Sequence, residues 1–186
     1  TLPPLADPKM PALSALPAAA AEPQSIDRTA KLFIGGKQVR PDSGYSYSVL
    51  NAKGKSLGQA GLGNRKDIRN AVEAASKASG WSSTPAHNRA QVLYYIAENL
   101  SARAAEFANR LIALGSKPKP ASEEIDLSIR RIFYYAALVD KYDGRIHSTN
   151  AKRQTTLAFN EPYGVIGLVC PQETPLLGMV SLLLPA

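Results

Sequence analysis

The feature that most limits how this chain can fold is a hydrophobic period that changes twice. In 31–39 (KLFIGGKQV) and 45–51 (YSYSVLN) the apolar residues form short runs or alternate, the pattern of half-buried strands. Gly35-Gly36 separates two such runs and tolerates positive φ, which predicts a two-residue β-hairpin; 54–63 offers a further short strand. From Asn64 the spacing becomes three and four. A helix is predicted over 66–79 with Asn64 as its cap and Ile68, Val72 and Ala75 as its apolar stripe. Pro85 suits the first turn of a second helix with Val92, Leu93, Ile96 and Leu100 as its buried side. Ser101 restarts it, Phe107, Leu111 and Leu114 continue the spacing, and Gly115 ends it. After a KPKP linker (117–120), Ser122, Glu123, Glu124 and Asp126 put negative charge in the first turn of a third helix, where the helix dipole favours it. The face of that helix is predicted as Ile125, Ile129, Ile132, Phe133 and Ala136, ending before Gly144.

At Ile146 the helical period stops. Residues 155–159 and 165–170 read as strands, the second as a continuous apolar run of the kind buried on both faces. Thr174-Pro175 then opens a helix that is apolar all round and is therefore expected to be buried. The fold class this implies is α/β. Residues 1–30 read as a Pro/Ala-rich linker, since residues so poor in aromatic and β-branched side chains cannot offset the chain entropy of folding. The chain begins at Thr1 and stops at LLLPA in the middle of an apolar helical pattern, so a piece of a longer polypeptide is expected.

Other function classes are narrowed by composition. A net charge of +7 raises nucleic acid as a partner, but the 22 basic residues are scattered among acids. The densest basic stretch, 53–69, has no aromatic on which a base could stack, so no dedicated nucleic-acid binding is expected. The longest strongly apolar run, 176–185, is about half of what a membrane span needs. A lone Cys170 allows no internal disulfide and suits the cytosol; within an apolar run before Pro171 it reads as a small buried hydrophobe. His87 and His147 have no partner at metal spacing and read as surface residues.

The order of these pieces resembles the N-terminal half of the NAD(P)-dependent aldehyde dehydrogenase superfamily. The residues that carry the resemblance are LFIGGK, the helix DIRNAVEAA (67–75) followed by Trp81, the Arg89 helix, RRIFYYAALVDKYDG (130–144) and EPYGVIGLVCPQETPLL (161–177). It covers 31–186 and implies helices and β-hairpins leading into the first strand of a Rossmann-like sheet. In that superfamily the last motif runs Glu-Pro-x-Gly-Val, a strand, then Pro-Trp-Asn-x-Pro; the strand's end lies against the dinucleotide and the Asn amide helps form the oxyanion hole. Carried across, Val169, Cys170, Pro171 and Gln172 stand at the positions that meet NAD or NADP, and Glu173 stands where the Asn is expected.

An ionised carboxylate has only acceptors, so Glu173 cannot donate a hydrogen bond to the oxyanion of a thiohemiacetal. An acid beside a helix start is also stabilising in its own right. The Pro-Gln-Glu signature, the linker and the basic character together resemble family sixteen of the superfamily, in which a second, incomplete unit follows a first one. That resemblance implies a non-catalytic unit, with a further aldehyde-dehydrogenase-like domain in the same parent chain. It also places 146–159 where the family projects an oligomerisation hairpin, implying a homo-oligomer. Two other readings stand beside it: part of an active NAD(P)-dependent aldehyde dehydrogenase whose nucleophilic Cys lies downstream, and a basic interaction module.

Overall fold

In the computed structural model, residues 28–148 and 154–186 are described. The linker expected at 1–30 therefore lies almost wholly outside them, as does the middle of the hairpin expected at 146–159. Two antiparallel hairpins come first: β1 (Leu32–Ile34) with β2 (Lys37–Val39), and β3 (Ser46–Leu50) with β4 (Ser56–Gly61). Gly35 and Gly36 both take positive φ, at 60° and 76°, and join β1 to β2 in two residues as the sequence predicts. Leu32 stands opposite Val39, and both turn inward.

The hairpin lies along α1 (Arg65–Lys77). A Cβ added at Gly35 would touch Ala74, and one added at Gly63 would touch Leu32 and Asp67, which puts β1 beside Asp67 and Ala74. The helix starts where expected. Asn64 Oδ1 accepts from the N–H groups of Lys66 (2.8 Å) and Asp67 (3.1 Å), and Asp67 Oδ2 accepts from Asn64 N–H (2.9 Å), a reciprocal capping box. Asp67 Oδ1 also accepts from Asp42 N–H at 3.0 Å. That extra bond ties the helix to the loop after β2 and fixes its rotation. In consequence Asp67, Ala71 and Ala74 face inward, while the predicted stripe of Ile68 and Val72 is exposed. Above this network Lys66 Nζ hydrogen-bonds Asp42 Oδ1 at 2.6 Å and holds that carboxyl below its ordinary value.

Asp67 is buried and serves two backbone donors, so Asp67→Ala leaves Asp42 N–H and Asn64 N–H without it. The expected loss is about 2 kcal/mol, read from the urea midpoint at unchanged slope.

After the short α2 (Gly80–Ser83), four helices carry the core: α3 (Ala86–Ala102), α4 (Ala104–Leu114), α5 (Pro118–Val139) and α6 (Pro175–Leu183). On α3 the buried side is Ala90, Leu93, Ala97 and Leu100, spaced three, four and three apart. Leu93 and Leu100 match the sequence expectation, whereas Val92 and Ile96 are exposed. Ala97 and Ala136 are both fully buried small residues, and they let α3 and α5 approach closely. α4 closes at Gly115 with the paired bonds of a Schellman motif, Gly115 N–H to Ile112 O and Ser116 N–H to Leu111 O. Gly115 there has φ of 124°.

KPKP is not a linker. α5 begins at Pro118, so Pro118 and Pro120 fall in its first turn, where backbone N–H groups have no helical partner to lose. No acid occupies that turn; Glu123 and Glu124 lie in the next one. The inward face of α5 is Ala121, Glu124, Ile125, Ser128, Ile132 and Ala136, with Phe133 exposed. Ile132 and Ala136 pack with Leu93, Ala97 and Leu100 of α3 and Val180 of α6; Ala121 and Ile125 pack with Leu111 of α4. α5 is thus the element that the other three share.

Between α5 and α6, β5 (Arg145–Ser148) pairs antiparallel with β6 (Thr155–Ala158), and all eight residues are exposed. The expected strand over 165–170 does not form. A continuous apolar run needs neighbouring strands to take its backbone hydrogen bonds, and none lies beside it among the described residues. Val165, Ile166, Leu168 and Val169 are exposed accordingly. α6 is only half covered: Val180 is buried and Leu176 and Leu184 pack on the core, whereas Met179, Leu182 and Leu183 face outward.

Candidate functional site

The residues singled out by the sequence cluster at the bend that leads into α6. Val169 is 92% exposed, and Cys170, expected to be buried, is exposed as well because the strand that would have enclosed it is absent. Pro171 is the anchored one. Its ring lies on α6 so tightly at Gly178 that a Cβ there would come within 2.7 Å of the proline Cδ. Only a glycine admits that contact. Gln172, Glu173 and Thr174 form the bend itself, and all three are exposed.

α6 starts at Pro175 with Thr174 before it. Thr174 belongs to the residue types that cap helices well, yet its side chain makes no capping bond. The capping group comes from α5. Oε1 of Glu124 accepts from Leu176 N–H at 2.9 Å and from Leu177 N–H at 3.1 Å, across 52 and 53 residues of chain. Glu124 is buried, and Ser128 Oγ donates to its backbone carbonyl at 2.7 Å. Two carboxylates therefore flank one helix start. Glu124 is enclosed and satisfied; Glu173 is in solvent with no hydrogen bond to its side chain among the described residues.

Sequence reasoning found Glu173 and missed Glu124's role. The acid itself was visible, but as a group serving its own helix. Its real partners are backbone amides on another element, and only the absence of a working cap at Thr174 could have hinted at them.

Chemically, the bend offers a carboxylate at Glu173, where an amide donor is expected from the resemblance. Glu173 can receive a hydrogen bond, coordinate a cation or repel an anion; while ionised it cannot stabilise a developing oxyanion. Val169, Cys170, Pro171 and Gln172, expected at the dinucleotide positions, form an exposed strip, and neither of two surface cavities includes them. One cavity is a surface groove between α3 and α5, lined by His87, Gln91, Tyr94, Asp140 and Lys141 among others; the other lies beside β3. A dinucleotide site encloses most of its ligand, so this strip needs further walls to hold one. His87 contacts Gln91 across one turn at 3.1 Å, and His147 is exposed on β5. Among the described residues no group of three His, Cys, Asp or Glu could hold a metal, and no helix is long and apolar enough to cross a membrane.

Comparison with known proteins converges on one family. The profile of the aldehyde dehydrogenase family matches residues 39–186. The NADP(+) D-glyceraldehyde dehydrogenase of Thermoplasma acidophilum is 29% identical over 154 residues, which cover 81% of this chain and 31% of that protein. The cytosolic 10-formyltetrahydrofolate dehydrogenase of Mus musculus is 31% identical over 156 residues, covering 79% of this chain and 17% of that one. Among solved structures, a betaine aldehyde dehydrogenase double mutant from Staphylococcus aureus in complex with NAD+ superposes with a TM-score of 0.79. At 22% identity, over 84% of this chain and 33% of that one, it speaks for the fold. The chain thus spans about a third or less of the length of these relatives.

Proposed function

The chain belongs to the aldehyde dehydrogenase family, and from that premise we propose that it is the N-terminal part of a cofactor domain in a non-catalytic unit whose role is structural and assembly-forming. The observation that carries the reading is Glu173, a solvent-facing carboxylate at the bend into α6 where the family pattern places an amide donor. NAD or NADP is the cofactor the family implies, and it would accept the hydride in aldehyde oxidation. Val169, Cys170, Pro171 and Gln172 would form one edge of its site, and the structural role needs no turnover there. The unit fits a family-sixteen-like arrangement, with a companion aldehyde-dehydrogenase-like domain in one parent chain. A free Cys170 suits a cytosolic setting.

The assembly part of the proposal is supported by the β5–β6 ribbon. Two strands alone are marginal in water, and each here has one edge unpaired among the described residues. Ile146 and Leu157 stand opposite each other, and both are largely exposed. A second copy pairing along this ribbon would cover both the apolar pair and the open backbone groups.

Replacing Ile146 and Leu157 together by serine is expected to weaken self-association roughly 100-fold, since covering two such side chains is worth about 3 kcal/mol or more. Sedimentation equilibrium reads this directly. An unchanged dissociation constant, or a wild type that stays monomeric at all concentrations, contradicts the assembly role.

A further inference from the structure

Resting on the reading of residues 171–174 as the place of the lost amide donor, we infer that Glu124 is a positioning residue for that bend, acting through the first turn of α6. The bend is held from two sides. Behind it, the Pro171 ring is seated against Gly178, one turn into the helix. Ahead of it, Leu176 N–H and Leu177 N–H are bound by a single oxygen of Glu124. The Thr174 carbonyl accepts from Gly178 N–H at 2.7 Å, but its side chain makes no cap, so the Leu176 and Leu177 amides take their acceptor from Glu124.

Glu124 is a firm anchor. It leaves α5 next to Ile125, which is 1% exposed, and one turn before Ser128, which is fully buried. Its negative charge is directed at the positive end of α6, where a carboxylate is favoured. The direction taken by Gln172, Glu173 and Thr174 is therefore set in part from α5, some fifty residues earlier in the chain, through the first turn of α6. A second consequence concerns Glu173. The helix amides to which an acid at this position could fold back are already occupied, so its carboxylate is left pointing into solvent, where any incoming anion would meet it.

The test uses amide hydrogen exchange and proton chemical shifts of Leu176 and Leu177 in the wild type and in Glu124→Ala, Glu124→Asp and Glu124→Gln. Glutamine keeps a carbonyl oxygen at the same reach, whereas aspartate is shorter by one methylene. Alanine and aspartate are expected to speed exchange at these two amides about tenfold or more and to move their resonances upfield, because a hydrogen bond of about 1.4 kcal/mol corresponds to a factor of ten. Glutamine is expected to stay within about threefold of wild type. Leu93 and Ala97 on α3 serve as the control and are expected not to change.

Equal exchange at Leu176 and Leu177 in all four proteins overturns the inference. So does an aspartate variant that matches glutamine, or a rise shared by α3. If the alanine variant fails to fold, the contrast between glutamine and aspartate still decides. The non-catalytic reading fails on a different observable, aldehyde turnover, and that failure would leave the exchange result standing.

Discussion

Truncation of Ile132 to alanine is expected to cost about 3–4 kcal/mol of stability, the range for removing most of a fully buried aliphatic side chain from a site that cannot collapse around the gap. Ile132 has no exposed surface and sits where three helices meet, against Leu93, Ala97 and Leu100 of α3, Ala136 of its own helix and Val180 of α6. The neighbours that could close a cavity are the least able to move. Ala97 and Ala136 have no side-chain freedom, and Leu176 beside the cluster has its N–H held by Glu124. Urea unfolding should show a lower midpoint with the slope unchanged. A loss below about 1 kcal/mol would mean that α6 is not docked as described.

The second large effect is on rate. Loss of one oxyanion donor costs about 3 kcal/mol in the transition state. A negative charge about 4 Å from the forming oxyanion adds about 4 kcal/mol at an effective dielectric of 20. The sum of about 7 kcal/mol is roughly five orders of magnitude. Placing glutamate at the corresponding position of an active relative that carries the amide is therefore expected to lower kcat/KM about 10^5-fold. Substrate affinity should change far less, since the repulsion acts on charge that exists only in the transition state. A loss of tenfold or less would mean that a carboxylate at this bend is harmless, and Glu173 would then say nothing about activity.

What could be read from the chain itself follows a physical divide. The β1–β2 hairpin, the strands β3 and β4, the Asn64 cap and the Gly115 stop depend on neighbours within a few residues, and they appear where expected. Which side of a helix faces inward depends on partners far along the chain. Ile68 and Val72 make the more apolar stripe of α1, but the bond from Asp42 to Asp67 rotates the helix the other way. The KPKP run reads as a linker because proline suggests a break; in a first turn it costs nothing. The 165–170 run has the composition of a buried strand, but composition cannot supply the neighbouring edges. At the site the divide is the same: Glu173 is legible against a local motif, while Glu124 acquires its meaning from amides on a different helix.

We propose that this unit keeps the family's N-terminal fold without its chemistry. This is tested most directly by following reduced nicotinamide formation with the purified protein, NAD or NADP and a panel of aliphatic and aromatic aldehydes, with Glu173→Gln run in parallel. No signal above the enzyme-free blank from the wild type is the expected result. Brisk wild-type turnover that the glutamine variant leaves unchanged would contradict it.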